Sequence, residues 1–147
     1  MNTPPATDRI TVERSFATSR ELVYSAWTEP AILARWISPN PNLQVRVEGA
    51  AVEGNPYAVH MGGGYTVRGT WLTLRPFDLL ELDWSWDRED HPPSHVRVEL
   101  SAEPEGTRLV LTHSRLADAQ EAAGHGEGWT LSLTRLDDAF AETPPRA

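Results

Sequence analysis

Six tryptophans in 147 residues are the side chains with the most chemistry to offer in this sequence. An indole buries about 150–250 Å² yet keeps one N–H donor, so it can wall an apolar pocket and orient what enters. Trp71, Trp84 and Trp86 occupy alternating positions of strand-like runs, and Trp129 falls in a helical run, an arrangement that aims all four at one interior. Trp27 and Trp36, on two shorter segments, are read as packing and pocket-mouth residues. Histidines come next. His91 and His95 are four apart, but Pro92 and Pro93 between them rule out the one-face helical spacing of a metal site. His60 alternates away from Tyr57, Val59 and Met61, whereas His113 shares the face of Leu109 and Leu111 and enters the interior as a polar group. His125 lies in a glycine-rich segment. No metal and no cofactor is expected.

Other nucleophiles and acid–base groups are poorly placed. Glu81, Asp83 and Asp87 alternate with Leu80, Leu82, Trp84 and Trp86, which puts the carboxylates on a wet face and leaves no inward pair for general acid–base work. No Gly-x-Ser-x-Gly occurs. Gly62, Gly63 and Gly64 join two strands and have no following lysine or helix, so they read as a hairpin loop rather than a phosphate cradle. Gly124, Gly126 and Gly128 read as a mobile stretch before the last helix, a hinge at one pocket entrance. No catalytic residue is assigned.

Composition narrows the classes further. The chain has no cysteine, which excludes disulfides and thiolate chemistry, and no lysine, which excludes Schiff bases. Net charge is −8 with the arginines dispersed singly, so neither a nucleic-acid stripe nor an anionic-membrane surface is expected. No apolar run approaches 18 residues and no leader is visible, which predicts a cytoplasmic protein, a monomer or homodimer. Residues 1–147 read as one domain with its core over about 9–143, residues 1–7 being a loose tail.

The elements that must position these residues follow from periodicity. Ile10 and Val12 alternate with Thr11 and Glu13 in a first strand. Thr18 and Glu21 match a capping box that opens a short helix over Arg20–Thr28, and Pro30 suits the first turn of a second over 30–36. Alternating runs around Val45, Val59, Val67, Leu82, Val98 and Leu111 follow, joined by turns at Pro76-Phe77-Asp78 and Pro104-Glu105-Gly106. Residues 87–93 form a charged loop and 117–126 a mobile segment. Trp129, Leu133, Leu136 and Phe140 then fall at i, i+4, i+7 and i+11 on one side of a helix of about 15 residues. Hairpin after hairpin predicts an antiparallel sheet of about seven strands, strongly curved so that it can bury that helix.

Several stretches match a known family. Arg14-Ser15-Phe16-Ala17, Val23 to Pro30 as VYSAWTEP, and Leu33-Ala34-Arg35-Trp36 resemble the opening of bacterial heat-shock-protein ATPase activator homologues of the START-like SRPBCC superfamily. Gly69-Thr70-Trp71-Leu72 with Arg75-Pro76 resembles its central strand and turn, and Gly128-Trp129 with Leu133 and Leu136 its last helix. The resemblance implies the birch-pollen-allergen helix-grip fold, α+β, with two short helices after the first strand. Superfamily members bind lipids, hormones and polyketides, and some are cyclases.

Together these readings predict an internal cavity for an apolar or aromatic small molecule. Its sheet walls would be Tyr57, Val59 and Met61, then Trp71, Trp84 and Trp86, then Val98, Leu111 and His113; the helix would add Trp129 and Leu133. Two alternatives stay open: a protein-interaction module similar to the ATPase activators, and a cyclase-type enzyme drawing on Tyr57, Tyr65, Arg68 and His113 in the same cavity.

Overall fold

The computed structural model describes residues 8–87 and 90–142. The expected tail at 1–7 and two positions of the 87–93 loop lie outside the described residues. Seven strands form one antiparallel sheet in the order β1-β7-β6-β5-β4-β3-β2. They are β1 (Ile10–Phe16), β2 (Arg46–Glu48), β3 (Pro56–Gly62), β4 (Tyr65–Arg75), β5 (Leu79–Trp86), β6 (Ser94–Glu103) and β7 (Gly106–Ser114). The first strand pairs with the last, Val12 opposite Leu111, and consecutive hairpins fill the rest. The inner face is set by register. Leu80 faces Val98 and Val98 faces Leu111; Leu82 faces Val96 and Val96 faces His113. All six are buried, so the period-2 pattern has become one continuous apolar surface with a single histidine in it.

Two irregularities bend this surface. The β3–β4 pairing shifts between His60 and Gly62, and the β4–β5 pairing shifts between Trp71 and Thr73. An extra residue in one strand bends that strand and raises its local twist. Gly69 makes a third accommodation: it stands opposite Tyr57, and a Cβ there would meet the Asp83 carbonyl oxygen at 2.1 Å and Tyr57 Cε1 at 2.8 Å. The Tyr57 hydroxyl donates to that same Asp83 carbonyl, and burial together with the Asp83 charge holds its phenol pKa well above the ordinary value. Gly69→Ala is therefore expected to lower stability by about 2–3 kcal/mol in urea unfolding, since neither backbone nor ring can yield freely.

Three helices complete the fold: α1 (Arg20–Thr28), α2 (Pro30–Leu33) and α3 (Ala119–Glu142). The cap of α1 is Ser19, whose hydroxyl accepts from the Leu22 N–H at 3.3 Å; the expected cap, Thr18, instead offers its carbonyl to the Thr107 hydroxyl at 2.8 Å. One turn of α2 replaces the expected helix over 30–36, and the chain beyond it turns inward to bury Trp36 and Ile37. The Trp36 indole closes that turn by donating to the Ala26 carbonyl at 3.0 Å.

The largest departure concerns α3, which runs for 24 residues rather than about 15. The expected mobile stretch is helical from Ala119, so its three glycines are not a hinge loop. The Asp118 carboxylate accepts from the Glu121 N–H at 2.8 Å, and its carbonyl accepts from the Ala122 N–H, a complete N-terminal cap. Trp129, Leu133 and Leu136 are buried, and Phe140 packs edge-on against Phe16 with ring centroids 5.7 Å apart. Polar ties fix the helix to the α2 side: the Ser132 hydroxyl donates to the Ile37 carbonyl at 2.7 Å, and the Arg135 guanidinium donates to the Ser38 and Arg35 carbonyls.

Candidate functional site

The sheet and α3 do not close on each other along their whole length. Between the N-terminal half of α3 and the ends of β3, β4 and β5 lies a cavity of about 530 Å³, partly open to solvent. That volume lies within the ordinary range for small-molecule sites. Its lining includes the buried Trp84, Trp129, Met61 and Ile37, the half-buried Trp86 and the exposed Pro39. The mouth carries Gly64, Tyr65 and Thr66 of the β3–β4 hairpin and Asp87 at the end of β5. From α3 come Gln120, Glu121, Gly124, His125, Gly128 and Ser132, which fall on one helical face.

Two of these are the most informative residues of the site. A Cβ on Gly124 or on Gly128 would meet nothing within 4 Å. A glycine in a helix interior costs about 1 kcal/mol relative to alanine, and packing does not require one at either position. What they do is leave α3 bare where it faces the cavity. Gly126 differs: its Cβ would lie 2.7 Å from Ile10 Cγ1, so it is small because β1 runs close by.

The histidines are held by donors that admit one reading. The Trp129 indole N–H donates to His113 Nδ1 at 3.0 Å. On the other side the His113 ring lies 2.7 Å from the Ser94 hydroxyl, which itself donates to the Trp84 carbonyl at 2.8 Å. An indole can only donate, so His113 is the Nε2–H tautomer, donating to Ser94. This chain runs from α3 through β7 and β6 to β5 and keeps His113 neutral. Burial, then the neighbouring His125 and His95, lowers its pKa to about 3. His125 is held similarly: the Trp86 indole donates to its Nε2 at 3.0 Å, and its Nδ1 donates to the Glu121 carbonyl at 2.8 Å. The two imidazoles meet edge to face, centroids 4.7 Å apart.

Of the residues expected to wall the cavity, Met61, Trp84, Trp86 and Trp129 do so. The remaining seven do not line it. Val59, Val98, Leu111 and Leu133 are packed in the core, Tyr57 and Trp71 lie against each other with centroids 5.8 Å apart, and His113 is sealed in its hydrogen-bonded chain. Nor do the indoles offer their donors as expected: those of Trp86 and Trp129 are taken by histidines, and those of Trp71 and Trp84 are buried without a partner. The cyclase-type cluster is not assembled. Tyr57 is bonded to Asp83, Arg68 Nε donates to Asp87 at 2.9 Å, His113 is enclosed, and Tyr65 alone of the four lines the cavity.

Of the α3 lining, Trp129 is read from the sequence, whereas Gln120, Glu121, Gly124, His125, Gly128 and Ser132 are not. Asp118 and Glu121 form a helix start that moves the N-terminus two turns upstream. Glu121, Gly124, His125, Gly128 and Ser132 then follow at i, i+3, i+4, i+7 and i+11.

The family model for Activator of Hsp90 ATPase homolog 1-like protein matches residues 17–141. The chain belongs to that family. Solved structures agree on the Activator of Hsp90 ATPase homolog 1-like fold. Protein CV1439 of Chromobacterium violaceum is 23% identical with a TM-score of 0.83, over 95% of this chain and 99% of that one. The AHSA1 protein SPO3351 of Silicibacter pomeroyi is 28% identical with a TM-score of 0.73, over 91% and 98%. CalU16 of Micromonospora echinospora is 26% identical with a TM-score of 0.72, over 92% and 76%. No curated protein matches the sequence at a significant level. These likenesses agree with the seven-stranded antiparallel sheet and C-terminal helix described above, the helix-grip architecture. No helix among the described residues is long and apolar enough to cross a membrane. No group of three or more metal-ligating side chains occurs among them either.

Proposed function

We propose that this chain is a binding domain that holds an apolar, aromatic small molecule in the cavity between α3 and the ends of β3–β5. One observation carries the reading: the helix wall of a cavity lined by Trp84, Trp86 and Trp129 is kept bare by Gly124 and Gly128, where a side chain would meet open space. A protein selected for stability alone would fill that space, because alanine or leucine at either position strengthens the helix. The indoles of β5 and α3 beside a bare stretch of helix leave room for a flat aromatic body.

Among the described residues the exposed large apolar side chains belong to α1, the β2–β3 connection, β4, the β4–β5 turn and α3. The docking-module alternative rests on the family description, and the cavity is the better supported site.

The test is Gly128→Leu. The new side chain enters the cavity rather than the core, so stability is expected to rise by up to about 1 kcal/mol while an aromatic probe loses at least about tenfold in affinity. Calorimetric titration with naphthalenemethanol, with unfolding curves on the same samples, reads both. Unchanged probe affinity in a folded variant would overturn the assignment, and native mass spectrometry of the purified wild type would show whether a molecule already occupies the slot.

A further inference from the structure

We infer that the occupant of this cavity is an organic cation: an aromatic body carrying an ammonium group, in preference to an isosteric alcohol or carboxylate. The inference rests on the cavity reading above and deepens it. Among the described residues the lining includes two carboxylates, Asp87 and Glu121, one imidazole, His125, and no arginine. The imidazole carries no charge in this arrangement, because its Nε2 receives the Trp86 indole N–H and its Nδ1 donates to the Glu121 carbonyl. Asp87 is matched by Arg68, whose Nε lies 2.9 and 3.1 Å from its two carboxylate oxygens.

Glu121 is different. Its carboxylate lies 3.8 Å from the neutral His125 ring, and no arginine pairs with it among the described ion pairs. The Glu121 backbone N–H makes the capping bond to Asp118, and its carboxylate stands in the first turn of α3, where the helix dipole favours a negative charge. A negative charge therefore stands in the lining of a cavity that also carries Trp84, Trp86 and Trp129. Indole presents the most negative face of any side chain, and a cation within about 6 Å of its centroid is attracted to it. Trp84 and Trp129 stand 5.0 Å apart and tilted by 52°, and Trp84 and Trp86 5.9 Å apart and edge to face, centroid to centroid, so three indoles gather at one end of the cavity. A carboxylate ligand would meet Glu121 with the sign reversed, and no arginine among the described lining residues would receive it.

Three naphthalene probes of matched shape test this in low-salt calorimetric titrations at neutral pH: 1-naphthylmethylamine, 1-naphthalenemethanol and 1-naphthoate. The amine is expected to bind at least about tenfold more tightly than the carboxylate and about threefold more tightly than the alcohol. Glu121→Gln keeps the capping N–H and should shrink the amine-to-carboxylate ratio to about threefold, leaving the alcohol unchanged. Carboxylate binding as tight as the amine's, or a ratio unmoved by Glu121→Gln, would overturn the inference while leaving the cavity reading intact. Failure of all three probes to bind would overturn both.

Discussion

Trp129→Ala is expected to remove about 5 kcal/mol of folding stability, enough to leave the variant at the edge of unfolding. The side chain is buried, with its ring 5.0 Å from Trp84 and 5.7 Å from Trp27. Deleting a buried tryptophan costs about 3–5 kcal/mol through lost transfer energy and the void left behind. A second loss accompanies it. His113 Nδ1 receives its only hydrogen bond in this arrangement from the Trp129 indole, and an orphaned buried acceptor costs about 1–3 kcal/mol. Trp129→Phe separates the two, because phenylalanine restores most of the packing and none of the donor. Urea unfolding should place it between wild type and alanine, about 1–3 kcal/mol below wild type. Alanine within 1 kcal/mol of wild type would mean that α3 does not dock through this residue. Phenylalanine equal to alanine would mean that the ring's packing contributes nothing.

That experiment probes the feature the sequence exposes most clearly. Trp129, Leu133, Leu136 and Phe140 repeat at helical spacing, and they meet the core as that spacing requires. The strands were equally legible, because Leu80, Leu82 and Trp84 alternate with Glu81 and Asp83 and a sheet with one wet face demands this. The site was less legible, for a physical reason. Period-2 alternation tells which face a residue takes but not how far along the curved sheet it lies. Trp71 and Trp86 share the pattern, yet Trp71 falls in the packed middle and Trp86 at the open end of β5. Glycine misled in a different way. Three glycines at 124, 126 and 128 suggest a broken helix by propensity, at about 1 kcal/mol each. Tertiary contacts and the Asp118 cap outweigh that cost, and two of the three glycines clear the cavity instead of loosening the chain. The Thr18-for-Ser19 error is of a simpler kind: adjacent hydroxyls cap equally well in isolation, and only the bond from Thr107 to the Thr18 carbonyl decides between them.

The neutral histidine inside the sheet makes the fold sensitive to acid. His113 has its pKa lowered from 6.5 to about 3, first by burial and then by His125 and His95. An unfolded chain binds a proton at this residue below pH 6.5, while the folded chain does not until about pH 3. The unfolded state thus holds more protons throughout that window, so stability rises with pH across it and is lost as pH falls. Above pH 6.5 the contribution is complete; over the 6.5-to-3 window about 5 kcal/mol is withdrawn. Protonation would also break the hydrogen bond that fixes the helix, because a charged ring has no lone pair at Nδ1 to receive the Trp129 indole. Carboxylate titration destabilises the fold in the same direction, so the readout is a difference between two proteins. His113→Gln supplies an amide acceptor and donor without a titrating group. It is expected to be about 1–3 kcal/mol less stable at pH 7 but to lose about 3 kcal/mol less than wild type between pH 7 and pH 4. Urea midpoints at half-unit steps of pH measure both curves. Parallel curves would show that His113 ionises as readily in the folded chain as in the unfolded one, and the closed polar chain from Trp129 to Trp84 would then have no energetic hold on the fold.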